Sequence, residues 1–198
     1  MNLRIFHFIP ETQVEGPGRR ACIQVQGCPI HCKGCAVPQT WAPHGGKLID
    51  ADWLIEQILD IPTIEGVTFL GGEPFAQADA LAHIGKHLQR HGKSVVTFSG
   101  YRLETLQNAQ RDDYHALLSV TDLLIDGPFD QQQVDYTRPW VGSRNQGFHF
   151  LTERYAHLRN QLDTIPNRIE VRLSPDGAIL INGLAAPEDM TALIQHIL

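Results

Sequence analysis

Short apolar strands alternate with amphipathic helices along most of this chain of 198 residues. Runs rich in β-branched and aromatic residues predict strands at residues 4–9, 21–26, 66–70, 94–98 and 123–126. Apolar residues at helical spacing predict helices at residues 50–59, 78–90, 103–109 and 115–120. Because a parallel strand reaches its neighbour only through a crossover connection, this alternation predicts an α/β fold built from βαβ units.

The end of the chain follows a different pattern. Two strand-like runs at residues 169–173 and 178–182, joined by Ser-Pro-Asp-Gly, predict a β-hairpin, and a helix is predicted to follow it and end at Leu198. Residues 130–146 contain three consecutive glutamines and few aliphatic residues, and they predict a loop that is either simply solvated or covers a site. We therefore expect a single domain over residues 1–198, with a core at about 5–147 and a C-terminal extension at 148–198.

Charge and hydropathy exclude several classes of function. The chain has 16 basic and 22 acidic residues, a formal net charge of −6, and no block of lysine or arginine. Nucleic acids and anionic membranes both select basic surfaces, so we expect neither as a partner. No apolar run approaches the roughly 18–20 residues that span a bilayer, and the first residues lack the pattern of a signal peptide. These observations predict a cytoplasmic protein.

All four cysteines lie close together, at Cys22, Cys28, Cys32 and Cys35. A disulfide framework would link distant parts of the chain, so this distribution argues against one. Cys22 lies within the strand predicted at residues 21–26, and we interpret it as a core residue. The other three cysteines follow that strand in the spacing C-x3-C-x2-C, which predicts a site at the carboxyl end of a strand.

Three thiolates on one loop have two chemical interpretations. They can each bind one iron of a 4Fe–4S cluster, which leaves the fourth iron open to substrate. They can also contribute to a structural zinc site, which requires a fourth ligand such as His31, His44 or Cys22. The spacing by itself leaves both interpretations open.

A second motif, Gly71-Gly72-Glu73-Pro74, ends the strand predicted at residues 66–70. Glycines at the end of a strand let the backbone approach a ligand, and a carboxylate accepts hydrogen bonds from a cation such as an α-ammonium group. Taken alone, this motif is also compatible with an ordinary turn that carries an exposed glutamate. It gains significance because it lies one βαβ unit after the cysteine loop.

With both motifs present, the sequence resembles the radical S-adenosylmethionine enzymes, and among them the small activating enzymes of anaerobic ribonucleotide reductase. The likeness covers roughly residues 5–147 and implies a partial (β/α) barrel. Further motifs match that subfamily in order: Gly16-Pro-Gly-Arg-Arg20, Thr40-Trp41, Ser99-Gly-Tyr101, Ile125-Asp-Gly-Pro-Phe129 and Gly142-Ser-Arg-Asn-Gln146. Ala36-Val37 after the third cysteine and the displaced Arg144 depart from the subfamily pattern, so the identity of the target remains open.

The resemblance also implies cofactors and residue roles. Cys28, Cys32 and Cys35 would bind three irons of a 4Fe–4S cluster, and S-adenosylmethionine would chelate the fourth. Glu73, with the backbone of Gly71 and Gly72, would hold the methionine ammonium group, so the catalytic set is the three cysteines and Glu73. The other implied cofactor-binding residues are Gly34, Ala36, Pro74, Ser99, Asp126 and Asn145.

The implied reaction is reductive cleavage of S-adenosylmethionine to methionine and a 5′-deoxyadenosyl radical. A flavodoxin- or ferredoxin-type protein would donate the electron, and the radical would abstract hydrogen from a glycyl-radical enzyme such as anaerobic ribonucleotide reductase, or from another protein target. One alternative is a radical enzyme that modifies a peptide or small molecule directly. An alternative of another class is a non-enzymatic zinc or iron–sulfur binding module.

Overall fold

A computed structural model describes residues 1–175 and 177–197. Its strands are β1 (Asn2–Thr12), β2 (Arg20–Val25), β3 (Lys47–Asp50), β4 (Gly66–Gly71), β5 (Ser94–Phe98), β6 (Leu123–Asp126), β7 (Gly147–Phe150), β8 (Ile169–Leu173) and β9 (Ile179–Gly183). Its α-helices are α1 (Ala51–Leu59), α2 (Ala78–Arg90), α3 (Leu103–Asn108), α4 (Asp112–Ser119) and α5 (Pro187–Ile197). In this described part of the chain, no helix has the length and apolar character needed to cross a membrane.

Seven strands form one mixed sheet in the order β3-β1-β2-β4-β5-β6-β7. The four strands β2, β4, β5 and β6 are parallel, whereas β1, β3 and β7 each run antiparallel to a neighbour. Helix α2 connects β4 to β5, and α3 and α4 connect β5 to β6. The predicted α/β class is therefore confirmed, and the carboxyl ends of the four parallel strands meet at one edge of the sheet.

Two apolar cores cover the two faces of this sheet. The larger one contains Leu54 and Ile58 of α1 and Leu81, Ile84 and Leu88 of α2, which recur at helical spacing and are fully buried. The second core lies against β5 and β6 and consists of Val96, Leu123, Ile125, Val141, Tyr155 and Leu158. The central strands are buried and largely apolar, as expected for parallel strands, and the polar side chains that they carry, such as Arg20 and Thr68, are buried as well.

The sequence-based prediction lacks two short strands and places the start of one helix three residues too late. Strands β3 and β7 have four residues each and were not predicted. Helix α4 begins at Asp112 rather than at residue 115, because Asp112 and Asp113 occupy its first turn, where negative charge is favourable.

In the predicted loop at residues 130–146, Val141 and Ser143 are fully buried, and Arg138 donates to the backbone oxygens of Ser143 and Gln146. This loop is therefore packed into the fold.

The predicted C-terminal hairpin is present as β8 and β9, and α5 follows it. Asp176 of the predicted Ser-Pro-Asp-Gly connection and Leu198, the predicted end of the helix, lie outside the described residues. The hairpin attaches to the end of β1. Glu170 accepts a hydrogen bond from Thr12 Oγ1 at 2.8 Å, and Asn182 Nδ2 donates to Thr12 Oγ1 at 3.0 Å. The Glu15 carboxylate accepts from Asn182 Nδ2 and from the Gly183 N–H, and burial raises its pKa. We call this set of contacts the hairpin clasp.

A buried arginine joins the amino-terminal ends of two central strands. Arg20 is fully buried at the start of β2. Its Nε donates to Thr68 Oγ1 at 2.6 Å and its Nη2 donates to the Val67 carbonyl at 3.0 Å, both on β4. Its Nη1 donates to the Pro17 carbonyl and to the Tyr155 hydroxyl. Arg20 thereby links β2, β4, the preceding glycine turn and the short helical segment at Glu153–Asn160.

Candidate functional site

The cysteine loop lies at the carboxyl end of β2. The backbone N–H groups of Gly27 and Cys28 donate to the carbonyls of Thr40 and Trp41, at 2.7 and 3.1 Å. These bonds hold the loop against the segment that follows it. Cys28, Cys32 and Cys35 are all partly exposed, so three thiols are presented at the surface of one loop.

Cys22 differs from the other three cysteines. It lies inside β2 and its side chain is fully buried, which confirms the prediction that it is a core residue. Burial also raises the pKa of the Cys22 thiol well above its usual value. The structure therefore separates one inert core thiol from three thiols that can reach a metal.

The donor set of the loop fits a 4Fe–4S cluster, because it offers three cysteine thiols and each cysteine binds a different iron. Burial raises the pKa of the Cys28 and Cys32 thiols, although backbone hydrogen bonds from Ile30 and His31 to Cys28 oppose the shift. Because metals bind thiolates, cluster assembly would release these protons.

The Gly-Gly-Glu turn lies directly against the start of the cysteine loop. The Gly72 N–H donates to the Val25 carbonyl at 2.8 Å, and the Glu73 N–H donates to the Gly27 carbonyl at 2.9 Å. A Cβ on Gly72 would lie 2.3 Å from the Gly27 oxygen, so no side chain fits there. Gly71, with a φ of +106°, turns the chain out of β4 in a conformation that glycine favours. The structure thus places both predicted motifs at the same edge of the sheet.

Glu73 is buried beneath this turn and connects β4 to β5. Its side chain is only 1% exposed. Oε1 accepts from the Phe75 N–H at 3.0 Å and from Ser99 Oγ at 2.9 Å, and Oε2 accepts from the Gly100 N–H at 2.8 Å. Burial raises the pKa of Glu73 to about 7, although these three donors favour the ionised form. Near neutral pH, Glu73 can therefore be a carboxylate or a carboxylic acid.

Two further predicted residues, Asp126 and Asn145, lie at the end of β6 and before β7. Asp126 is 2% exposed; its Oδ2 accepts from the Leu103 N–H at 2.6 Å and lies 3.0 Å from Nε2 of His149. Asn145 Nδ2 donates to the Pro128 carbonyl at 2.7 Å. Among the described residues, the buried Oδ1 atoms of Asp126 and Asn145 have no hydrogen-bond partner. The nearest cation to Asp126 Oδ1 is Arg102 Nη1 at 4.0 Å, which is beyond hydrogen-bond distance. Buried acceptors without a hydrogen bond fit a ligand rich in donors, such as one with hydroxyl and ammonium groups.

His149 was not identified from the sequence. Its position depends on β7, in which Gly147 pairs with Asp126 and His149 pairs with Leu124. A Cβ on Gly147 would lie 2.8 Å from Asp126 Oδ1 and 3.2 Å from His149 Nε2. The absence of a side chain at Gly147 therefore leaves room for the imidazole beside the carboxylate. No local motif marks this arrangement, because its members lie on two different strands.

A cleft of about 470 Å³ opens beside the cysteine loop. Its lining residues are Lys33, Arg102, Pro128, Phe129, Asp130, Gln131, Gln132, Gln133 and Asn145. Gly34 faces Phe129 and Gln131 across this cleft. Ala36 is exposed beyond the third cysteine, whereas Pro74 is buried below the turn. The cleft gives a molecule from solvent access to Lys33 of the cysteine loop and to Asn145.

Comparison with known proteins matches residues 14–149 to a family model described as a 4Fe-4S single cluster domain. A protein of Haemophilus influenzae is 32% identical over 156 residues, 74% of this chain and 97% of its own length. A protein of Vibrio cholerae is 32% identical over 154 residues, 73% of this chain and 96% of its own length. Both relatives are named anaerobic ribonucleoside-triphosphate reductase-activating protein.

Two further matches cover less of the proteins compared. A second Haemophilus influenzae protein, assigned by name to the glycyl-radical enzyme activating enzymes, is 36% identical over 121 residues, 60% of this chain and 44% of its own length. The crystal structure of QueE from Escherichia coli matches 50% of this chain and 53% of its own, with 19% identity and a TM-score of 0.43. This last likeness is too slight to bear on the function.

Proposed function

This chain belongs to the 4Fe-4S single cluster domain family, together with the anaerobic ribonucleoside-triphosphate reductase-activating proteins, and from this premise we propose that it generates the glycyl radical of a partner enzyme. It is a radical S-adenosylmethionine enzyme with a 4Fe–4S cluster. The observation that carries the proposal is the backbone contact between the cysteine loop and the Gly-Gly-Glu turn. It places three partly exposed thiols beside a buried carboxylate at one edge of a parallel sheet.

We assign roles to the residues of this edge. Cys28, Cys32 and Cys35 hold the cluster, and Glu73 with the Gly71-Gly72 backbone orients the methionine ammonium group. The other pocket residues are Gly34, Ala36, Pro74, Ser99, Asp126 and Asn145. With both cofactors bound, the chemistry supplied would be one-electron reductive cleavage of S-adenosylmethionine to methionine and a 5′-deoxyadenosyl radical, and these residues would orient the reactants and exclude water.

The fold supports a finer architectural proposal. The order of the four parallel strands is compatible with a partial (β/α) barrel. The mouth of that barrel would be the cleft beside the cysteine loop. Residues 1–198 would form a single domain, in which the extension at 148–198 is attached through the hairpin clasp. A glycine loop of the partner enzyme would enter at that mouth.

The proposed function is tested by anaerobic reconstitution followed by incubation with S-adenosylmethionine, a reductant and a candidate glycyl-radical enzyme. We expect about four irons and four sulfides per chain, production of 5′-deoxyadenosine, and a glycyl radical detected by electron paramagnetic resonance. Production of 5′-deoxyadenosine with a modified peptide or metabolite, and no protein radical, would favour direct modification instead. One tightly bound zinc without turnover would favour a non-enzymatic module.

Replacing Glu73 with glutamine is expected to weaken S-adenosylmethionine binding more than cluster assembly. The substitution keeps the size of the side chain but removes the charge that faces the ligand's ammonium group. A charge-assisted hydrogen bond contributes roughly 1.5–3 kcal/mol, which corresponds to a roughly ten- to hundred-fold loss of affinity. Anaerobic equilibrium titration measures the loss, and Glu56→Gln on the exposed side of α1 is the matched control. If Glu73→Gln and the unchanged protein bind S-adenosylmethionine with equal affinity, Glu73 only stabilises the turn and does not contact the ligand.

The affinity for S-adenosylmethionine is expected to depend on pH through Glu73. The pKa of Glu73 is raised to about 7 in the unliganded protein, so below that pH the carboxyl group must lose its proton before it can pair with an ammonium ion. The affinity should therefore fall about tenfold for each pH unit below 7. The ligand's own titration affects every variant equally, so the ratio of wild-type to Glu73→Gln affinity isolates Glu73. A ratio that stays constant between pH 5 and 8 would contradict the assignment.

A further inference from the structure

Three buried polar atoms without a hydrogen-bond partner belong to residues on or next to the paired strands β6 and β7. In the part of the chain that the structure describes, five buried side-chain nitrogen or oxygen atoms lack a partner. Three of these five are Asp126 Oδ1, Asn145 Oδ1 and His149 Nε2. Buried polar groups are nearly always paired, so several unpaired ones in one region indicate a bound molecule that completes them.

The pairing of β6 with β7 brings Asp126 and His149 together. Gly147 pairs directly with Asp126, and His149 lies two residues further along β7, on the same face of the sheet. A Cβ on Gly147 would lie 2.8 Å from Asp126 Oδ1 and 3.2 Å from His149 Nε2. Both unpaired atoms therefore border the side that Gly147 leaves empty, and one ligand atom approaching from that side can contact both.

Neighbouring groups orient these side chains but leave the three atoms open. The Leu103 N–H donates to Asp126 Oδ2 at 2.6 Å, which holds the carboxylate and leaves Oδ1 without a bond. Asn145 Nδ2 donates to the Pro128 carbonyl at 2.7 Å, so only its Oδ1 is free. His149 Nε2 lies 3.0 Å from Asp126 Oδ2 but forms no hydrogen bond with it.

The nearby arginine does not complete the site either. Arg102 Nη1 donates to the backbone carbonyl of Asn145 at 2.6 Å and stays 4.0 Å from Asp126 Oδ1. Asn145 and Arg102 both line the cleft beside the cysteine loop. A molecule in that cleft therefore reaches the three unpaired atoms from the side of Asn145.

The chemistry of the three atoms selects a kind of ligand. Carboxylate and amide oxygens only accept hydrogen bonds, whereas a neutral imidazole nitrogen donates in one tautomer and accepts in the other. An ammonium group offers donors alone and pairs with only one tautomer of His149. A hydroxyl group both donates and accepts, so it pairs with a carboxylate oxygen and with either tautomer. Two adjacent hydroxyls would satisfy Asp126, Asn145 and His149 together.

We propose that His149, together with Asp126 and Asn145, binds the two adjacent hydroxyls of the ribose of S-adenosylmethionine and makes the site selective for ribose over deoxyribose. This inference rests on the proposed function, because that function supplies the ribose. His149 contacts the hydroxyl that donates to Asp126, and Asn145 accepts from the other hydroxyl. Sites that hydrogen-bond a hydroxyl reject the analogue that lacks it, because their buried polar groups are then left unpaired.

The test measures ligand discrimination by anaerobic equilibrium titration of the full chain with its cluster. The ligands are S-adenosylmethionine and its 2′-deoxy and 3′-deoxy analogues, without a reductant, so that none is cleaved. His149→Phe keeps a planar ring and removes the ring nitrogens. His157→Phe makes the same exchange at an exposed histidine and serves as the matched control.

We expect the unchanged protein to bind S-adenosylmethionine about ten- to hundredfold more tightly than the analogue that lacks the hydroxyl bound by Asp126. His149→Phe should weaken binding of S-adenosylmethionine about three- to tenfold, as for loss of one neutral hydrogen bond. The affinity for that analogue should not change, so the discrimination should shrink by the same factor. His157→Phe should behave as the unchanged protein does.

Two further variants separate contact with the ligand from a structural role. Gly147→Ala keeps Asp126 and His149 but fills the space between them, so it should also reduce the discrimination. His149→Gln retains an amide that donates and accepts, so it should restore part of the discrimination that His149→Phe loses. Circular dichroism checks that each variant is folded. A side chain that only supported β7 would alter the affinity for all three ligands alike.

The outcomes distinguish failure of this inference from failure of the proposed function. If the unchanged protein binds no S-adenosylmethionine, the proposed function is wrong and the inference with it. If the unchanged protein binds all three ligands equally, the hydroxyls are bound by none of these residues. If it discriminates and His149→Phe discriminates equally well, or loses affinity equally for all three ligands, His149 does not contact the ribose, and the proposed function stands without this inference.

Discussion

Alanine in place of Cys28, Cys32 or Cys35 is expected to abolish 5′-deoxyadenosine production. Each thiolate supplies one ligand of the cluster, and a methyl group cannot replace it. The three thiols lie partly exposed on one loop, and the backbone bonds of Gly27 and Cys28 hold that loop in place without them. The variants should therefore fold and lose the cluster, which is measured as iron and sulfide per chain alongside the nucleoside product.

Cys22→Ala is the control for this experiment because Cys22 is the other cysteine in the chain. Its side chain is fully buried in β2. We expect Cys22→Ala to retain the cluster and the capacity to form 5′-deoxyadenosine. If this substitution were as damaging as Cys32→Ala, the assignment of the three ligands would be wrong.

Replacing Arg20 with methionine is expected to destabilise the protein by about 1–3 kcal/mol for each buried acceptor that loses its donor. Methionine fills much of the same volume but donates no hydrogen bonds, so the buried Thr68 hydroxyl and the Val67 carbonyl lose their donor. Buried polar groups without a partner are costly because water cannot replace the missing bond. Denaturant unfolding monitored by circular dichroism measures the change in the free energy of unfolding.

The adjacent Arg19 provides a matched control for this measurement. Its side chain is 45% exposed and pairs with Glu11 at 2.9 Å on the surface. Exposed ion pairs contribute between zero and about 1 kcal/mol, so Arg19→Met should have a small effect. Similar losses of stability for both substitutions would mean that the contacts of Arg20 add nothing beyond those of a surface arginine.

Local apolar spacing was sufficient to predict much of the fold. The bounds of α2, β5 and β6 agree with the prediction at every residue, because each element carries its apolar pattern within its own sequence. Strands β3 and β7 were missed because their four residues become strands only by pairing with β1 and β6. A short segment that depends on a partner strand has no periodicity of its own to detect.

The same distinction applies to the site. The cysteine loop and the Gly-Gly-Glu turn are contiguous motifs, so the sequence alone indicated both. The sequence could not indicate that Glu73 would be bound by Ser99 and Gly100, or that His149 would lie beside Asp126. These contacts join residues from different strands, and only the order of strands in the sheet brings them together. The raised pKa of Glu73 follows from this burial and was equally inaccessible.

The hairpin clasp has a consequence for the order in which the chain can fold during its synthesis. Thr12 and Glu170 are separated by 158 positions, and Glu15 and Gly183 by 168. A ribosome releases β1 and β2 long before it releases the hairpin, so the sheet can begin to form while Glu15 still lacks the partners that will bury it. Until residues 170–183 emerge, water must solvate that carboxylate. The hairpin clasp can therefore close only after the strands of the seven-stranded sheet have all been synthesised.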